Sequence, residues 1–191
     1  MLKSLRRKER EATFKAEALA HLDRLYRIAM WLERDQERAE NLVRETLTRG
    51  LRSFDKFDAE TSLCTWLCRI MYKVVDDAQL AGTRAHRSDT EETFDGTIQF
   101  ETHTPPNLSE TEILLALRSL TPNHQEMLLL SDAEDMTYKE IAGALNITTG
   151  VVMARLSRAR KMLRTELVRI VNKSESENAT GGAQILLPSG A

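Results

Sequence analysis

The residues of this chain best suited to chemistry are cations on one helical stretch. Arg155, Arg158, Arg160, Lys161 and Arg164 follow Thr148 and Thr149, while Val151, Val152, Leu156, Ala159 and Leu163 recur at helical spacing on the other faces. Such cations neutralise phosphates, and arginine also donates paired hydrogen bonds to guanine edges. N-terminal residues of a groove-reading helix meet the bases. Thr148, Thr149, Met153, Arg155 and Ser157 are therefore candidate base or sugar-phosphate contacts, and Arg158, Lys161 and Arg164 candidate phosphate holders. The plainer alternative is a solvated basic helix in a bundle. Residues for other chemistry are missing. His21, His86, His103 and His124 show no ligand spacing, and no Gly-rich phosphate loop, nucleophile elbow or carboxylate constellation is present. Cys64 and Cys68 are four apart and share a helix face, a spacing that with a His suits metal binding or oxidant sensing. No ligand pair accompanies them, and isolated buried cysteines behave as small apolar residues. The expectation is no catalytic residue, no metal, no cofactor and no enzymatic activity.

Helices must position these cations. Residues 137–145 and 149–171 read as two helices joined by a tight turn at Asn146-Ile147, with Ile141, Ala142 and Leu145 facing inward. Ala142 is small where two helices cross closely. This is a helix-turn-helix pattern. Upstream, Ser109-Glu110-Thr111-Glu112 is a capping-box signature, and Thr121-Pro122 reads as an N-cap followed by proline in the first turn. In the N-terminal half, apolar residues recur at three- and four-residue spacing over Glu11 to Glu33, Gln36 to Ser53 and Thr61 to Ala81, predicting three helices. Gly50 weakens the end of the second.

Between these halves the composition changes. Gly82, Gly96, Pro105 and Pro106 lie among Ser, Thr and acids, which reads as a linker. The expected architecture is all-α: two small helical domains, 12–82 and 109–171, joined by a flexible acidic linker, 83–108. The Ser-, Gly- and Asn-rich tail, 172–191, reads as disordered.

The 191 residues carry a formal net charge of -2, which at first excludes a nucleic-acid partner. The average hides a segregation. Residues 88–112 hold no Lys or Arg but seven acids, Asp89, Glu91, Glu92, Asp95, Glu101, Glu110 and Glu112. Residues 154–173 hold seven basic side chains against one acid, net +6. Asymmetry of this kind speaks more than the total. The longest apolar runs are a few residues, so no membrane-spanning helix is expected. The basic start, Met1 to Lys8, lacks the apolar core and cleavage site of a secretory signal. Two cysteines make no disulfide framework, and a cytoplasmic protein is expected.

Two blocks of sequence carry a resemblance. Thr121 to Leu130, Met136 to Ala142 and Gly150 to Arg160 resemble the fourth region of bacterial sigma factors. Ala39 to Thr46 and Ser62 to Ile70 resemble the second region. The order, the spacing and the absence of other regions resemble the small extracytoplasmic-function class over roughly residues 15–168. The resemblance implies a protein that binds core RNA polymerase, directs it to promoter DNA and helps open it. It implies that Glu40, Asn41, Arg44 and Glu45 contact the polymerase clamp. It implies that the loop before the third helix pockets a flipped base of the minus-10 element. There Phe54, Phe57 and Trp66 are candidate stacking residues, Asp58 and Ser62 loop contacts, and Lys56, Arg69 and Lys73 backbone contacts. Core packing is the other reading of the aromatics, and for Trp66 the favoured one. The helix-turn-helix would read the minus-35 duplex. The acidic linker would run towards polymerase channels and imitate nucleic acid there, or be merely solvated.

The resemblance also implies an anti-sigma factor, membrane-associated or a soluble inhibitor, that sequesters the protein by covering polymerase-binding surfaces. No direct membrane insertion is expected. Some positions depart from the family pattern: Asn41 and Arg44 stand where Asp and Gln are usual, Lys73 where Asn is common, Leu80 where Arg is common, and Thr148 where Pro is usual. Val151, Met153 and Ala154 stand where Thr, Lys and Ser are frequent. Two other functions compete: a sigma-like decoy that binds an anti-sigma factor without initiating transcription, and a helix-turn-helix regulator acting without polymerase.

Overall fold

The computed structural model of the chain describes residues 2–58, 60–81 and 108–181. These form eight α-helices and no strand. The N-terminal group comprises α1 (Leu2–Leu19), α2 (Leu22–Glu33), α3 (Gln36–Ser53) and α4 (Leu63–Ala81), with a 3-10 turn at Phe54–Lys56 after α3. The C-terminal group comprises α5 (Glu110–Ser119), α6 (Pro122–Leu128), α7 (Tyr138–Leu145) and α8 (Thr149–Gly181), with a π-helical turn at Leu129–Ala133 after α6.

Local chemistry explains most boundaries. Asp35 accepts the Arg38 N–H at 2.9 Å and caps α3. Ser109 and Glu112 exchange hydrogen bonds as a capping box at α5, as expected. Thr137 and Glu140 form a second capping box at α7, which the sequence reading did not single out. Asn146 adopts a left-handed conformation, φ 56°, and ends α7. Pro122 opens α6, but the Thr121 hydroxyl pairs with His124 Nδ1 at 2.9 Å and does not cap the helix.

Several expectations need correction. The single helix expected over Glu11 to Glu33 is two, broken at Ala20-His21. No glycine or proline marks that break. Its effect is that α2 packs along α3 while α1 carries Phe14 against Gly50 of α3 and Leu67 of α4. A Cβ on Gly50 would stand 2.9 Å from Leu67 Cδ2 and 3.1 Å from Phe14 Cζ. Gly50 is thus a close-approach position, which outweighs its weak helix propensity. The first helical unit also starts before residue 12, at Leu2. The helix expected to end at 171 runs on to Gly181, so 172–181 is helical backbone, not a disordered tail. The stretch expected to continue α6 through Leu130 widens after Leu128 into the π turn, closed by the Glu134 N–H on the Leu129 carbonyl at 2.9 Å. The acidic linker expected at 83–108 lies outside the described residues up to 107, and so does the tail beyond 181.

Leu25, Ile28, Leu67, Cys68 and Met71 are fully buried in the first group, and Met127, Leu130, Ile141, Val152 and Leu156 in the second. These sets form one continuous apolar cluster, because α4 packs directly on α7. The two helical groups therefore share a core across their seam.

Candidate nucleic-acid interface

The start of α8 is built by the turn before it. Thr148 Oγ1 accepts the Val151 N–H at 3.3 Å, and Val152, Ala154, Leu156 and Ala159 are buried against the rest of the C-terminal group. That leaves Thr148, Thr149, Arg158 and Lys161 exposed, with Met153, Arg155, Ser157 and Arg164 half-buried beside them. All eight residues expected to meet the minus-35 duplex thus lie on one helix and its leading turn, outside its apolar face. Arg160, part of the same cationic series, does something else. Its Nη2 donates to Asp132 Oδ1 at 2.6 Å and to Ser131 Oγ at 3.1 Å, fastening α8 to the π turn.

The expected minus-10 residues divide. Phe54 and Phe57 stack with centroids 5.7 Å apart, and Trp66 meets them at 6.4 and 5.3 Å. Phe14 joins from α1, 5.1 Å from Phe54. Phe14 is buried and the other three rings are half-buried, and together they form an aromatic cluster at the loop before α4. Lys56, Asp58 and Lys73 are exposed around it. Ser62 caps α4, accepting the Thr65 N–H at 3.2 Å and pairing with the Thr65 hydroxyl at 2.8 Å, while Arg69 turns towards α7. Arg69 Nε donates to the Gly143 carbonyl at 2.6 Å, and the Ser62 hydroxyl lies 3.5 Å from Glu140 Oε1.

On α3, Glu40, Asn41 and Arg44 are exposed on one face, with Arg44 donating to Asn41 at 3.0 Å. Glu45 differs. It pairs at 2.8 Å with Arg49, which also reaches Asp77 of α4 at 2.6 Å. The Glu45 and Asp77 carboxylates hold the Arg49 guanidinium above its ordinary pKa. Glu45 is therefore part of a structural tie between α3 and α4.

A second tie crosses the seam. Arg27 of α2 grips Glu134, just past the π turn, through two hydrogen bonds of 2.7 Å each, and Arg24 Nε stands 3.5 Å from the same carboxylate. The Glu134 side chain is only 2% exposed. Nothing in the sequence announced this contact, whose partners are 107 residues apart. Beside it, an apolar groove of about 610 Å³ lies between the groups, lined among others by Met30, Trp31, Leu117 and Leu128 with Arg34 and Arg118 at its rim.

Among the described residues no group of His, Cys, Asp and Glu is disposed to hold a metal, and no helix is long and apolar enough to cross a membrane.

The chain thus joins a four-helix unit, with exposed acidic and basic side chains on α3, to a helix-turn-helix unit whose second helix carries cations outside its apolar face. Comparison with known proteins agrees. Residues 18–79 match the sigma-70 region 2 family and residues 110–163 match sigma-70 region 4. The chain is 30% identical over 154 residues to the ECF RNA polymerase sigma factor SigE of Mycolicibacterium smegmatis, covering 78% of this chain and 59% of that protein. It is 28% identical over 145 residues to the ECF RNA polymerase sigma factor EcfG of Rhodopseudomonas palustris, covering 76% and 80%. The solved structure of the sigma factor RpoE of Bartonella quintana, in complex with the anti-sigma factor NepR, superposes with a TM-score of 0.57 at 25% identity, covering 81% of this chain and 96% of that one. The chain belongs to the sigma-70 family, whose regions 2 and 4 together match more than half of its residues, and it is similar to extracytoplasmic-function sigma factors.

Proposed function

We propose that this chain is a promoter-specificity subunit of RNA polymerase, with residues 12–82 and 109–171 as its two working domains. One observation carries the reading: both sigma regions stand in order on one chain, and the reading helix keeps its cationic residues outside its apolar face. Glu40, Asn41 and Arg44 on α3 are the clamp-facing residues. The aromatic cluster with Lys56, Asp58 and Lys73 receives the melted minus-10 strand, and Ser62 and Arg69 join it once freed from α7. The start of α8 reads the minus-35 duplex. The protein works in the cytoplasm, catalyses nothing itself, and is held by an anti-sigma factor. The apolar groove between the two groups is the surface we assign to that inhibitor.

Run-off transcription with purified core polymerase and genomic promoter fragments tests this. Specific transcripts are expected. Core binding without transcripts would favour the decoy. On a promoter found this way, Arg155→Ala should cost about 1–3 kcal/mol and relax specificity at one base pair. Lys161→Ala should weaken all sequences alike and lower the salt slope by about one. Fluorescence anisotropy on matched and mismatched duplexes reads both.

A further inference from the structure

We propose that Cys64 and Cys68 form an oxidation site for hydrogen peroxide, closing to a disulfide that displaces Trp66 from the aromatic cluster. The consequence for DNA rests on the reading of that cluster as the minus-10 strand site; the oxidation itself does not.

Both thiols are buried on α4, one helical turn apart, Cys64 at 4% exposure and Cys68 at 0%. The Cys68 thiol donates to Cys64. The Arg24 guanidinium comes from α2, with Nη1 4.0 Å from Cys64 Sγ. Glu140 of α7 and Glu134 past the π turn oppose it. The hydrogen bond and the guanidinium prevail and bring Cys64 down to about 7, so a thiolate is present near neutral pH. Peroxide is little larger than water and suits a site that burial closes to bulkier oxidants.

The Cys64 thiolate attacks one peroxide oxygen. An S–O bond forms, the O–O bond breaks, and hydroxide leaves and takes up a proton to become water. Cys64 is then a sulfenic acid. The Cys68 sulfur attacks that sulfur, the S–S bond forms, the S–O bond breaks, and the hydroxyl leaves as water with the Cys68 proton. Two thiols are oxidised to one disulfide, and one peroxide is reduced to two waters.

The bond does not fit an undisturbed helix. Cβ atoms four residues apart stand about 5–6 Å from each other, while a disulfide needs about 3.5–4.5 Å. The turn from Cys64 to Cys68 must therefore tighten, and Trp66 sits at its middle. Trp66 lies 5.3 Å from Phe57 and 6.4 Å from Phe54, ring centre to ring centre. Leu63 and Leu67 on the same stretch are buried and leave no slack, so the distortion passes to the half-buried indole. A strained disulfide is readily reduced, which makes the change reversible by thiols.

The test uses the full chain treated with hydrogen peroxide. Trypsin leaves both thiols in one peptide, Phe57 to Arg69, whose mass reports the disulfide after free thiols are blocked. With Trp31→Phe, Trp66 is the only tryptophan left. Its emission should shift to longer wavelength on oxidation and return with dithiothreitol. Cys68→Ala should stop at a sulfenic acid on Cys64, trapped by dimedone, with no emission shift. Anisotropy of a labelled single strand carrying the minus-10 sequence should show binding weakened roughly tenfold by oxidation, about the loss of one base–aromatic stack, and restored by dithiothreitol. Oxidised wild type without the 64–68 bond would overturn the proposal, as would a bond that leaves Trp66 emission unchanged. The bond and the shift, with no strand bound in either state, uphold the disulfide and remove the minus-10 reading instead.

Discussion

Cys64 and Cys68 show how neighbours set the behaviour of a side chain. Both thiols are buried one turn apart on α4. The Cys68 thiol donates to Cys64, and Arg24 Nη1 lies 4.0 Å from Cys64 Sγ. Together these outweigh burial and bring Cys64 down to about 7. The same hydrogen bond, with burial, pushes Cys68 well above the ordinary thiol range. The pair should titrate as a unit with Cys64 as its reactive member. Iodoacetamide alkylation, mapped by peptide mass, should rise at Cys64 as pH passes about 7, and Cys68→Ala should move that rise to higher pH. The spacing in the sequence put both thiols on one face. It held no sign of Arg24, which comes from another helix.

The start of α7 shows a local motif that stabilises a functional helix. Burial raises the Glu140 carboxyl, but the Thr137 N–H and hydroxyl donate to it and, with Arg24 nearby, hold it below its usual range on balance. A carboxylate with a depressed folded pKa adds stability that is present above the ordinary carboxylate value, about 4.3, and is lost as pH falls through the lower folded value. Thr137→Ala should cost about 1 kcal/mol near neutral pH. It should also make the acid-side fall in stability shallower, because the depression of Glu140 is relieved. Urea unfolding between about pH 3 and 7 measures both. The Thr-x-x-Glu pattern was readable in the sequence, like Ser109 and Glu112. The break at Ala20-His21 and the π turn were not. No residue there forbids a straight helix, and only packing against α3, α4 and α8 selects the bend.

The continuous core across α4 and α7 gives the molecule a property that two linked domains would lack. The described residues should unfold as one cooperative unit. Calorimetry should show a single transition whose calorimetric and van't Hoff enthalpies agree. Arg27→Glu should split or broaden it, since the shared apolar area is then exposed in both groups before either melts. The segregated charge fits this picture. The net +6 of residues 154–173 is carried largely on the outer faces of α8, the faces proposed to meet DNA, while Arg160 is turned inward to the π turn.

The sequence by itself determined the helical class, the order of the two sigma regions, the capping box at Ser109 and the membership of the cationic helix. Those features rest on local periodicity, capping chemistry and short motifs, which act within a few residues. It also placed the aromatic residues that gather before α4. The roles of Arg69, Arg160 and Glu134 were decided by tertiary structure alone. Each side chain could equally have faced DNA, polymerase or water. The elements that meet it, from 28 to 107 residues away, settled which. A buried charge is tolerated only where packing delivers its partner, and no local pattern records that delivery.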